Sequence, residues 1–134
     1  MELSTGVAFG APVLQIEGAV DPHDALLLER AVWEALGKTS SLVVLDLEPC
    51  THIGSAGLAV LFSLVRWVRP KQGEVIAIRP SAHMLQLFRL VRLTDERGFQ
   101  VFVDMESARE TILASMQLHN DRGEPVRVPT DDAD

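Results

Sequence analysis

Residues 42–62 read LVVLDLEPCTHIGSAGLAVLF, and this stretch decides the fold. Its first six residues, Leu42-Val43-Val44-Leu45-Asp46-Leu47, are an apolar run broken only by Asp46. A run without polar alternation predicts a strand covered on both faces, the habit of parallel sheets. Pro49 stops it. Ser55 is then placed to cap a helix, its hydroxyl accepting from a first-turn amide. Leu58, Leu61, Phe62, Val65 and Val68 recur at helical spacing and predict the buried side of that helix.

Working outward, the same alternation of strand and helix recurs. Val13 to Glu17 is short and alternating, and ends at Gly18, which predicts a strand and turn. Asp21-Pro22 opens a helix: Asp21 can cap it, and Pro22 suits a first position whose missing N–H is not needed. Leu28, Ala31, Val32, Ala35 and Leu36 make its apolar face, and Gly37 is expected to end it. Pro70 and Gly73 close the second helix, and Val75 to Ile78 is a third buried strand. Ser81 caps a third helix burying Met84, Leu87, Phe88 and Val91, and Phe99 to Val103 is a fourth strand. Ser107 and Glu110 have capping-box spacing before a last helix that turns Ala108, Ile112 and Met116 inward. Strand then helix, four times over, predicts an α/β layered fold. Its sheet is mostly parallel, of four to five strands with four helices, because parallel neighbours need crossovers.

The chain has 134 residues, enough for one domain whose core needs no disulfide or metal. We expect the domain to span residues 1–118. Residues 119–134 are polar, carry Pro125 and Pro129, end in Asp131, Asp132 and Asp134, and read as a mobile acidic tail. One cysteine excludes an internal disulfide, no apolar run reaches membrane-spanning length, and Met1 to Gly10 lacks the features of a signal peptide. The expectation is a cytoplasmic protein with no direct membrane insertion. A net charge of −7 repels phosphate backbones, and the absence of tyrosine with few other aromatics leaves little to stack bases, so nucleic acid is an unsuitable partner. Arg66, Arg69, Lys71, Arg79, Arg89, Arg92 and Arg97 cluster in the second half, as a solvated helix surface or a face for an acidic partner.

Catalytic chemistry finds little support. Gly37-Lys38-Thr39 resembles the end of a phosphate loop, but Val32 stands where the loop needs a glycine, and a strand follows where a helix should. Cys50 and His52 could form a metal pair or a nucleophile–base couple, yet His23, His83 and His119 are scattered and no carboxylate–histidine spacing accompanies them. Asp46, near the end of a buried strand, lies where ligands bind parallel sheets, although such an aspartate often only bonds loop amides. The expectation is a protein that is not an enzyme and needs no cofactor. Gly54-Ser55-Ala56-Gly57 is the informative stretch. Small residues at a helix start admit a close backbone, and the free amides there can hold an anion; tight packing on the sheet is the alternative.

With these residues in hand, the chain resembles a STAS domain of the anti-sigma factor antagonist family, over about Val13 to Met116. Gly18-Ala19-Val20-Asp21 is similar to the family's glycine–x–hydrophobic–aspartate turn, and Leu42 to Leu47 to its central strand. Ile53-Gly54-Ser55-Ala56-Gly57-Leu58 sits where the family has hydrophobic–aspartate–serine–serine/threonine–glycine–leucine. The resemblance implies partner switching: the protein binds an anti-sigma factor or a serine-kinase-like protein, and phosphorylation at the second-helix start breaks the complex. A phosphate adds nearly two negative charges to a contact surface while the helix amides tolerate it.

This chain departs from the pattern at that point. Gly54 replaces the aspartate, and Ala56 replaces the second hydroxyl, a common acceptor. Ser55 is left as the candidate phosphorylation site, and Arg92 stands where the family often has a glycine. The implied docking surface comprises Asp21, Gly54, Ser55, Ala56, Gly57 and Leu58, with Ser63 and Arg66 along the second helix. Two other readings stay open. One is a STAS subunit docking the ATPase of a lipid-transporting ABC complex, which needs no phosphorylation. The other is a small-ligand sensor or enzyme near Asp46, Thr51 and His52.

Overall fold

The computed structural model describes residues 1–39 and 41–121. Of the expected tail, residues 119–121 belong to the last helix rather than to a tail, and residues 122–134 lie outside the described residues. Strands β1 (Glu2–Ala8), β2 (Ala11–Val20), β3 (Leu42–Asp46), β4 (Cys50–Ile53), β5 (Glu74–Ile78) and β6 (Phe99–Phe102) interleave with helices α1 (Ala25–Thr39), α2 (Ser55–Val68), α3 (Ala82–Leu90) and α4 (Met105–Asp121). The sheet order is β1-β2-β3-β5-β6, with β4 paired to β2 off this path. Every pairing is parallel except β1 with β2.

The apolar run at 42–47 works as a doubly covered strand. Val43 and Leu45 enter the larger core, under α1, α2 and α3, while Leu42 and Val44 face α4 with Ala108 and Ile112. The period of two splits β5 the same way, Val75 and Ala77 against Ile76 and Ile78. The α/β layering, mostly parallel sheet and four helices are therefore as expected, with β1 and β4 as additional strands. β1 is largely exposed, so it carries no apolar signature. β4 lies where a loop was expected.

Four local expectations are corrected. Gly37 does not end α1, which runs on to Thr39; an interior glycine costs only about 1 kcal/mol, and the buried face from Leu28 to Leu36 holds the helix. Ser55 is the first residue of α2, not its cap: Gly54 holds that position without a side-chain bond. Ser107 lies inside α4, and Asp104 Oδ1 accepts from its N–H at 2.8 Å. Val91 is not buried, at 36% exposure, because α3 closes at Leu90. The Ser81 cap is as expected, its Oγ accepting from Met84 N–H at 3.1 Å. Arg92 has a φ of 67°, the left-handed region that favours glycine, the residue the resemblance expects there.

Candidate functional site

β2 changes partner along its length, and this builds the site. Val13, Leu14 and Gln15 pair with Val44, Leu45 and Asp46 of β3. After an irregularity at Gly18/Ala19, Ala19 and Val20 pair with His52 and Ile53 of β4. Gly18 N–H donates to Pro49 O at 2.9 Å, and Gly54 N–H to Val20 O at 3.0 Å. The Asp21 turn and the α2 start thus lie side by side, although 33 positions separate Asp21 from Gly54.

At the turn, the Asp24 carboxylate accepts from Asp21 N–H at 2.9 Å and is itself buried. His23 Nε2 sits 3.7 Å from its other oxygen. Asp21, His23 and Asp24 are the group among the described residues whose ligand atoms lie close enough to share a metal ion. Asp24 is already engaged, so we read the group as the brace of the turn.

At the helix start, Ser55 is exposed and Ala56 half-buried, whereas Gly57 and Leu58 are buried. A Cβ on Gly57 would lie 2.9 Å from both Ile53 Cγ2 and Val20 Cγ1, so this glycine is where α2 presses on β2 and β4. Gly54 differs: its φ is −80°, and a Cβ would make ordinary contact with Val20 O at 3.5 Å. The Ser55, Ala56 and Gly57 amides have no partner inside the helix, as at any helix start. Farther along α2, Ser63 and Arg66 are exposed on the side away from the core.

The sequence reading missed the apolar surface beside this helix. Leu26, 59% exposed on α1, lies about two turns before Trp33 and on the same side of that helix, whereas Leu27, 54% exposed, lies over Ala31 and Glu34 on the side toward β1. Trp33 of α1 meets Trp67 of α2 edge-on with centroids 4.9 Å apart, and Lys71 Nζ lies 3.8 Å from the Trp67 ring. One signal was available: of Leu26-Leu27-Leu28, only Leu28 fits the inward periodicity.

The other candidates are structurally employed. Asp46 is buried, accepting from Glu48 N–H at 3.1 Å, Arg79 Nη2 at 3.1 Å and Gln15 Nε2 at 3.4 Å. Burial pushes its carboxyl up, but the Arg79, Glu48 and Gln15 bonds outweigh that and hold it below the usual carboxylate value. Cys50 is buried, and burial pushes its thiol up. Its Sγ points to the His52 backbone oxygen at 3.7 Å, so no nucleophile–base couple forms with the imidazole. Thr51 and His52 are exposed. Of the basic cluster, Arg69 pairs with Glu96, Arg79 with Asp46 and Glu48, and Arg92 with Asp95. No helix among the described residues is long and apolar enough to cross a membrane.

Comparison with known proteins agrees with this architecture. BtrV of Bordetella bronchiseptica, named as an anti-sigma factor antagonist, is 26% identical over 117 residues, which cover 87% of this chain and 96% of BtrV. A Thermotoga maritima protein of the same designation has a crystal structure with a TM-score of 0.73 at 17% identity, covering 83% of this chain and 94% of that one. The Bacillus anti-sigma factor antagonist SpoIIAA in its unphosphorylated form gives 0.63 at 18% identity, covering 92% and 100%. At such identities the structures speak for the fold. The family model described as "Mlab, STAS domain" matches residues 4–107, most of the domain laid out above. With β2–β4 pairing, α2 start and sequence match in accord, the chain belongs to the STAS domain family.

Proposed function

We propose that this chain is a non-enzymatic docking module of the anti-sigma factor antagonist kind, taking an anti-sigma factor or a serine-kinase-like protein as its partner. The observation that carries the reading is the β2–β4 register, which sets the Asp21 turn against Gly54 and Ser55 at the head of α2. The surface continues along exposed Ser63 and Arg66, and the apolar side chains of Leu26 and Trp67 beside it supply area that a partner can bury. Gly57 and Leu58 serve this surface from beneath, by fixing where the helix starts.

Gly54 and Ala56 favour a second reading with the same surface and another partner: the ATPase of a lipid-transporting ABC complex, which asks for no phosphoryl acceptor. Binding titrations against purified candidates of both classes, encoded beside this chain, test the two together. One class should bind, and Arg66→Glu should weaken that binding by about tenfold, or 1.4 kcal/mol, with no change in melting temperature. Equal affinity of wild type and Arg66→Glu would remove this face of α2 from the interface. Binding of neither class would sink both readings.

A further inference from the structure

β1 is one end of the sheet, and among the described residues it pairs only with β2. Phe9 and Gly10, at φ 55° and 83°, make a two-residue turn, closed by the pair Ala8–Ala11. In such a hairpin the closing pair exchanges both backbone bonds, and bonded pairs then alternate along the ladder. Glu2, Ser4, Gly6 and Ala8 therefore bond inward to β2. Leu3, Thr5 and Val7 turn their N–H and C=O groups to the open edge.

We propose that this edge is an interface with a second copy of the chain, β1 against β1, antiparallel about a two-fold axis at Thr5. The register is set by the groups that must be satisfied. With Thr5 opposite Thr5 of the second copy, Leu3 falls opposite Val7 and Val7 opposite Leu3, so every outward-facing residue meets an outward-facing one and each pair exchanges two bonds. Glu2, the only charged residue of the strand, then faces Ala8, and no like charges oppose. The devices that protect an edge are missing: β1 has seven residues, no proline, no lysine and an unbroken register with β2. Val7 is 75% exposed. A groove between β1 and α1, walled by Thr5, Val7, Pro12, Ala31 and Ala35, opens beside it. The second copy's Leu3 arrives at Val7, on the mouth of that groove.

Sedimentation equilibrium of the full chain from nanomolar to millimolar concentration tests the proposal. A species of twice the 14.7 kDa chain mass is expected. Thr5→Pro, which deletes an outward N–H, and Val7→Lys, which sets a charge beside Leu3 of the other copy, should each raise its dissociation constant at least about tenfold. Val7 is exposed enough that its variant folds even where Thr5→Pro does not. In amide exchange, Leu3, Thr5 and Val7 should slow as concentration rises, while Ser4, Gly6 and Ala8 stay unchanged. A monomer throughout, open-ended assemblies, a dimer indifferent to Val7→Lys, or exchange without this alternation would each overturn the proposal.

Discussion

Ser55 and Asp46 show how differently two polar residues near strand ends can be used. Ser55 is exposed and, because Gly54 takes the cap position, its hydroxyl is not engaged in capping α2. A kinase would meet no lost cap there. What it would lack is the aspartate and second hydroxyl of the family pattern, so we expect little phosphate on the wild type after incubation with a cognate kinase and ATP. Modification should rise in Gly54→Asp with Ala56→Ser, as read by intact mass. The backbone at Gly54 admits an aspartate without strain, and an aspartate cap adds a few tenths of a kcal/mol, so the change will not act through misfolding. Rapid full modification of the unaltered protein would restore the conventional switch. Asp46, by contrast, ties β3 to Arg79 after β5. Its carboxyl is held low when folded, so the folded state binds fewer protons than the unfolded one across the acid range. The stability this contributes is present above the unfolded value of about 3.9, and is lost as pH falls through the lower folded value. Asp46→Asn should cost about 1–3 kcal/mol at neutral pH. Urea unfolding at stepped pH should show that gap closing in acid; a gap of constant size would mean the carboxylate charge does not matter.

The α2 start is where element packing and docking compete for the same residues, and Gly57 separates them. Its missing side chain lets the helix lie on Val20 and Ile53. Gly57→Ala should therefore destabilise by about 1–3 kcal/mol through overpacking, seen as a lower melting temperature. An unchanged melting temperature would mean that α2 can shift to accept the methyl group. Small residues in the sequence marked this spot without saying which role each had; burial divides them, with Gly57 below and Ser55 outside. The elements most legible in the sequence were those with the most to bury. Leu42 to Leu47, Val75 to Ile78 and the inward face of α2 announce themselves because one or both sides meet a core. β1 and β4 did not, since β1 is exposed along most of its length and β4 buries only Cys50 and Ile53. The caps were read one position late at Ser55 and three late at Ser107. A serine near a helix start has the same local signal whether it caps or follows the cap. The nearness of Asp21 to Gly54 depended on β4, and so could enter the sequence reading only through the family resemblance.

At the scale of the whole molecule, the two faces of the sheet are unequal. α1, α2 and α3 close the larger core on one side, and among the described residues α4 alone closes the smaller one on the other. The proposed partner surface lies on the three-helix side, at the ends of β2 and β4. The proposed self-pairing uses an edge of the same sheet, so a second copy at β1 leaves the α2 face uncovered. The Trp33–Trp67 contact sits on that α2 face, and it has an optical consequence. The chain has two tryptophans and no tyrosine. All of its emission on excitation near 295 nm, about the red edge of protein absorption, therefore arises from one corner of the fold, where the two indoles meet at 88°. Trp67 is 37% exposed, lies under Lys71 and follows Arg66 in sequence. A partner settling on α2 would change the wetting of that indole, and the protein would report its own occupancy as a shift in colour, with no dye attached.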